Sequence, residues 1–381
     1  MGNPRIRHRL LNLILVTVTV AISLVLAEML FRMMLFSKSD VFKFLRKPEY
    51  YAKIYNDHAT DIYTDEYWKL YYKFGGEYLP PKNPHPLLGW TYEIDHESLV
   101  HPDAVNLNGR RAVLLYGDSF SNCSPKSVCF ENILNVDPEF SEGHYLLNYG
   151  IGGYCVGQIS LLLENSKKNY QKPVIIFGFM DRDVERSILT VRIGQKPGFA
   201  VRNDSLIITG LPIEPNPEDF FRKNPPKITS YLYRKFVNSK LNIFPTSKRK
   251  MNKVIQEIKD VNEKILVNTI RDLRNDGDDF FVLVFQAMYG VEHDWRNMYI
   301  REILEKEGVP YIWTKDLVDR DTTYKEYNLR DWELDDGHPT THFNQLIAAE
   351  IKKFVLDSTY REEAVKQNTR IYLIQKGLQN Q

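Results

Sequence analysis

Val113-Leu114-Leu115-Tyr116-Gly117-Asp118-Ser119-Phe120 runs from four apolar residues straight into a polar turn. An unbroken apolar run of this length reads as a strand buried on both faces, as in a parallel sheet. Gly117 ends the strand, so Asp118 and Ser119 fall where the chain must turn. A serine there stands at the carboxyl edge of the sheet, where open α/β folds place their ligands. Taken alone, Gly-Asp-Ser is also an ordinary turn sequence.

Two later stretches add to it. Leu146-Leu147-Asn148-Tyr149-Gly150-Ile151-Gly152-Gly153 is a short apolar run falling into a glycine-rich turn. Asp335-Asp336-Gly337-His338-Pro339 precedes an apolar-periodic helix pattern, with Pro339 suited to a first helical position. The order serine, glycine turn, Asp-x-x-His resembles the SGNH (GDSL) hydrolase family of serine esterases and acyltransferases. The resemblance covers roughly residues 105–356.

A serine hydroxyl is a poor nucleophile near neutral pH and needs an adjacent base, itself oriented by a third group. The resemblance implies that Ser119 attacks an acyl carbonyl and His338 takes its proton. Asp335, three residues before the histidine, is the carboxylate that the family pattern picks to hold the imidazole, with Asp336 as the competing partner. The resemblance also implies an oxyanion hole built from the backbone N–H groups of Ser119 and Gly153. One family block departs from the pattern. The usual Gly-x-Asn-Asp corresponds to Gly178-Phe179-Met180-Asp181, and a thioether cannot donate the hydrogen bond that an asparagine would. Either a neighbour such as Arg182 or Asp183 reshapes the site, or the hole has two donors. His338 and His342 stand four apart, but without an intervening glutamate or a further ligand nearby no metal is expected there. No cofactor is expected either.

Composition narrows the setting. Among 381 residues, Lys and Arg number 50 against 49 Asp and Glu, so no net field draws nucleic acid or a strongly acidic partner. The 23 tyrosines and 20 phenylalanines argue against disorder. Leu10 to Ala27 carry no charge, and apolar character resumes from Met29 to Phe36. That run approaches the roughly 20 residues needed to span a bilayer as a helix. Arg5, Arg7 and Arg9 favour a cytoplasmic N-terminus, against Lys38, Lys43, Arg46 and Lys47 on the other flank. Val25-Leu26-Ala27 offers a cleavage site, but the apolar stretch beyond it favours an uncleaved anchor. Glu28 and Arg32, four apart, are placed to pair on one helix face. Cys123, Cys129 and Cys155 show no metal or redox spacing; outside the cytoplasm a Cys123–Cys129 bridge would close the loop after the nucleophile.

The expected architecture is α/β: a doubly wound, mostly parallel sheet in an SGNH-hydrolase-like three-layer α/β/α arrangement, with one N-terminal transmembrane helix. Its parts are a cytoplasmic N-terminus at 1–9, a signal-anchor helix at 10–36, an aromatic-rich juxtamembrane region at 37–104, the hydrolase-like domain at 105–356 and a C-terminal tail at 357–381. The juxtamembrane region reads either as lying against headgroups or as a packed cap, and Leu79 to Pro86 marks a boundary. Within the domain, residues 189–250 form a hairpin, turning at Asn203-Asp204, followed by a Pro-rich insertion. The function expected is serine-dependent O-deacylation of an envelope glycan or lipid through an acyl-enzyme, by an extracytoplasmic domain anchored in the membrane. Acyl transfer by the same triad, and a non-catalytic glycan-binding or assembly module of the same fold, are the alternatives. The partners are an acylated glycan or lipid and the membrane, with no nucleic acid.

Overall fold

A computed structural model describes residues 4–56, 61–76, 84–92, 94–238, 248–287, 294–323 and 328–379. Most of the boundary stretch Leu79 to Pro86 lies outside them. The chain divides into two compact units: one takes residues 1–56, 61–78 and 221–248, the other 57–60, 79–220 and 249–381.

The larger unit is built on five parallel strands. These are β1 (Arg111–Gly117), β2 (His144–Gly150), β3 (Val174–Met180), β6 (Asp279–Phe285) and β7 (Tyr311–Trp313), in the order β7-β6-β3-β1-β2. An antiparallel hairpin, β4 (Gly198–Arg202) with β5 (Ser205–Thr209), stands apart from the sheet and turns at Asn203 and Asp204, both at positive φ. Asn and Asp tolerate that conformation, which two-residue hairpin turns demand.

The apolar runs of β1, β3 and β6 are buried along almost their whole length because helices cover both faces. Side chains alternate across the sheet. Val113 and Leu115 join Val174, Ile176, Phe281 and Leu283 in a core shared with α4 (Phe130–Leu134) and α9 (Thr341–Leu356), which contributes Phe343, Ile347, Ile351 and Phe354. On the other face, the Tyr116 hydroxyl meets Ser166 Oγ at 2.8 Å in α5 (Val156–Ser166). Ser160 of that helix meets Thr269 of α7 (Lys248–Asn275) at 2.7 Å. The expected doubly wound α/β/α sheet is therefore what forms. Strand order reverses at β1, which puts the switch point of the sheet immediately before Ser119.

Two boundaries differ from expectation. Residues 84–104 pack into the α/β unit: Trp90 Nε1 donates to the Gly152 carbonyl at 3.2 Å and Gln158 Nε2 to that of Leu88 at 2.7 Å. Residues beyond 357 form no loose tail but α10 (Ser358–Gln379), docked on α8 (Trp295–Glu307) by Thr369 Oγ1, which donates to Glu305 at 2.6 Å, by Asn368 Nδ2 on the Tyr311 carbonyl at 2.7 Å and by the Arg361–Asp279 ion pair. The polar residues of these segments carried no helical or strand period by which to assign them.

The smaller unit joins α1 (Pro4–Leu35), α2 (Asp65–Lys73) and α6 (Tyr231–Val237) around Phe31, Leu35, Leu45, Tyr51, Leu70 and Tyr231. Within α1, His8–Leu35 is long and apolar enough to cross a membrane. The segment expected at 189–250 is thus shared out: the hairpin and the residues up to 220 belong to the larger unit, while residues 221–238 belong with the N-terminal helix.

Candidate active site

At the carboxyl end of β1 the chain enters the single turn α3 (Ser119–Asn122), with Asp118 as its N-cap. Asp118 Oδ1 accepts the Phe120 amide at 2.9 Å, and the side chain is fully buried. Ser119, in contrast, is partly exposed at the edge of the sheet. The cap thus holds the turn from beneath and leaves the hydroxyl above it.

The glycine turn after β2 closes against this helix. A β-carbon on Gly150 would fall 2.4 Å from the Asn122 amide nitrogen, so only glycine permits the two backbones to approach this closely. One on Gly152 would lie 3.9 Å from Ser119 Cβ, which puts this turn beside the serine. Gly153 follows at φ +83°, with its carbonyl accepting Arg192 Nη1 at 3.4 Å. Asn148 fastens the arrangement: Nδ2 donates to the Ser121 carbonyl at 2.8 Å and to Glu131 at 2.9 Å, while Oδ1 accepts the Gly150 amide.

The histidine arrives on the loop before α9. Its ring lies 5.4 Å from that of Phe120, the residue next to Ser119. His338 Nδ1 is 3.2 Å from Asp336 Oδ1, and Asp336 also receives the His338 amide at 3.1 Å and Ser124 Oγ at 3.1 Å. Burial works to raise the Asp336 carboxyl, but these hydrogen bonds from His338 and Ser124 hold it below the usual carboxylate range. Asp335 is exposed and makes no hydrogen bond or ion pair to a described residue. In this geometry the carboxylate that faces the imidazole is that of Asp336, and not that of Asp335. Gly337, at φ +80°, folds the loop back tightly enough for the Asp336 carboxylate, two residues before His338, to reach Nδ1. His342 pairs instead with Asp321, at 3.3 Å.

Ser124 went unnoticed in the sequence because nothing local marks a serine that bonds a residue 212 positions away. It sits inside a ring closed by the Cys123–Cys129 disulfide, while Cys155 is free and buried. The same ring meets α9 directly. The Val128 amide donates to Thr341 Oγ1 at 3.0 Å, and Asn344 Nδ2 to the Val128 carbonyl at 2.9 Å.

Beneath the serine lies a second group of charges. Burial above all raises Asp183 well beyond the carboxylate range; Arg186 opposes this, and the nearby Asp118 carboxyl reinforces it. Asp183 also accepts the Met180 amide at 3.0 Å and pairs with Arg186. The neighbouring Asp181 is pushed up to about 7, by burial first and then by Asp294. Met180, where the family pattern has asparagine, is 6% exposed and packs in the apolar core with Phe120 and Phe285. Its side chain belongs to the hydrophobic floor under the turn.

No family model matches the chain, and no curated protein does. Among solved structures, it is similar to an acetylxylan esterase from Geobacillus stearothermophilus, at 14% identity and TM-score 0.35, over 65% of this chain and 94% of that one. An alpha/beta hydrolase from the metagenome of Lake Arreo, Spain, is similar at 14% identity and TM-score 0.34, over 66% and 97%. A protein described as a GDSL-like lipase from Parabacteroides merdae is similar at 12% identity and TM-score 0.34, over 68% and 99%.

Proposed function

We propose that the chain is an SGNH-type serine esterase, anchored by α1 with its α/β unit outside the cytoplasm, that removes acyl groups from a glycan or lipid. The observation that carries this reading is the chain Ser124–Asp336–His338, set beside the Ser119 turn at the switch point of the sheet. With Nδ1 committed to Asp336, the other ring nitrogen, Nε2, is the one left to serve the serine. In the first half-reaction Ser119 Oγ attacks the ester carbon, His338 takes the hydroxyl proton, and the same proton passes to the departing alcohol. In the second, His338 takes a proton from water, the hydroxide attacks the acyl carbon, and the proton passes to Ser119 Oγ as its bond to the acyl carbon breaks and the acid leaves. The amides of Ser119 and Gly153 are the proposed oxyanion donors. Met180 offers none, so the hole has two backbone donors. The Cys123–Cys129 bridge supports an oxidising compartment, where disulfides persist.

Two measurements test this. A serine-directed phosphonate should label the wild-type chain at Ser119 and fail to label Ser119→Ala. A panel of acetyl and longer acyl esters should then be turned over, with His338→Ala lowering the rate by several orders of magnitude. A folded chain that neither labels nor turns over any ester would make it a binding module.

A further inference from the structure

The end of the apolar helix is bolted to a helix that arrives about 200 residues later. Glu28 accepts the Ser230 hydroxyl at 2.8 Å and the amides of Tyr231 and Leu232 at 2.9 and 3.0 Å, so a side chain of α1 caps α6. Arg32 pairs with Glu28 at 2.6 Å, donates to the Thr229 carbonyl at 2.9 Å, and lies over the Tyr231 ring. Phe36 meets the same ring edge-on at 5.2 Å.

These contacts fix a depth. The 18 uncharged residues from Leu10 to Ala27 rise about 27 Å as a helix, close to the roughly 30 Å of a bilayer's hydrocarbon. Glu28 therefore stands at the boundary with the headgroups, and α6 begins at that level. Tyr231 faces inward and is buried, whereas Tyr233 and Phe236, three residues apart on another face, are each 62% exposed. The turn at Asp40–Leu45 repeats the pattern, with Val41 and Phe44 exposed. Lys38, Lys43, Arg46, Lys47, Arg234 and Lys235 accompany these side chains. Exposed aromatics mixed with basic residues at headgroup depth are the composition of a membrane interface.

We infer that α6 and the Asp40–Leu45 turn form a seat on the phospholipid leaflet through which α1 leaves the membrane, with Tyr233, Phe236, Val41 and Phe44 inserted among the headgroups. The inference rests on α1 spanning the bilayer, and the experiment separates the two. The full chain is reconstituted in phosphatidylcholine–phosphatidylglycerol vesicles as wild type, Phe236→Trp, Tyr233→Trp and, for the anchor, Leu15→Trp. Emission above that of wild type is read with lipids brominated high or deep in the acyl chains, and with aqueous iodide. The tryptophans at 233 and 236 should lose most of their emission to shallow bromines and little to iodide, while that at 15 responds to deep bromines. Quenching at 15 with the two α6 positions open to iodide, or shielded from both quenchers by protein, would overturn the seat and leave the anchor standing. No bromine quenching at 15 would overturn both.

Discussion

Replacing Asp336 by asparagine keeps the shape of the His338 loop and removes the charge that faces the imidazole. In the proposed attack by Ser119 the ring becomes an imidazolium, and its attraction to the carboxylate is what the variant loses. At about 4 Å between charge centres that attraction is about 1 kcal/mol in bulk water and about 4 kcal/mol at a dielectric of about 20. These bounds correspond to losses of about 5-fold and about 10³-fold. The Asp336 side chain is 38% exposed and that of His338 26%, which favours neither limit. Loss of tautomer control adds to the charge effect, since asparagine presents a donor or a weaker acceptor to Nδ1. A fall of about 10² in kcat/KM on a small acetyl ester is the expected result, with Asp335→Asn within about twofold of wild type. Folding should be checked by thermal unfolding in parallel. If Asp335→Asn costs as much as or more than Asp336→Asn, the pairing seen here is not the one used in catalysis.

Other substitutions probe the surroundings. Ser124→Ala removes one hydrogen bond to the Asp336 carboxylate and should lower kcat/KM by about 2- to 10-fold, with KM nearly unchanged. Opening the six-residue bridge with Cys123→Ser and Cys129→Ser together should cost about 2 kcal/mol in thermal or urea unfolding. Asp181 ionises less readily folded than unfolded, so its contribution to stability is full below about pH 4 and is lost as pH rises through about 7. Asp181→Asn should therefore flatten the decline in Tm between pH 5 and 8; an unchanged pH profile would show that burial does not raise this carboxyl. Met180→Asn puts an amide among Phe120 and Phe285 and should cost about 1–3 kcal/mol without raising kcat/KM. A gain in turnover would mean that the amide reaches the oxyanion after all.

The strands and long helices were legible because burial on two faces, or on one helical stripe, leaves a period in the sequence. Val113–Tyr116, Val174–Phe177 and Phe280–Phe285 are such runs, and α7 shows its stripe from Val254 to Ile270. The turn at Ser119 was legible for the same reason: an apolar run must end somewhere, and Gly-Asp-Ser is where this one ends. Which aspartate meets His338 was not. The choice between Asp335 and Asp336 depends on how Gly337 turns the backbone, and both residues fit the local composition equally well. Asp183 could be named from sequence as a neighbour able to reshape the site, but its full burial beside Asp118 depends on how distant segments pack over it. The placement of residues 221–238 with α1 depends on hydrogen bonds between distant segments, which leave no periodic trace.

The capping of α6 by Glu28 also sets an order of assembly. Ser230 lies 202 residues beyond the glutamate. At roughly 5–20 residues per second, synthesis delivers it about 10–40 s later. By then the segments of β1, β2 and β3 have already been made. The unit around α1 is therefore among the last parts of the chain's first two-thirds to be completed, although its first helix is the earliest to emerge. Throughout that interval Glu28 has Arg32 as its partner but not Ser230, so a ribosome stalled before residue 230 would carry an α1 whose carboxylate still awaits the helix it caps.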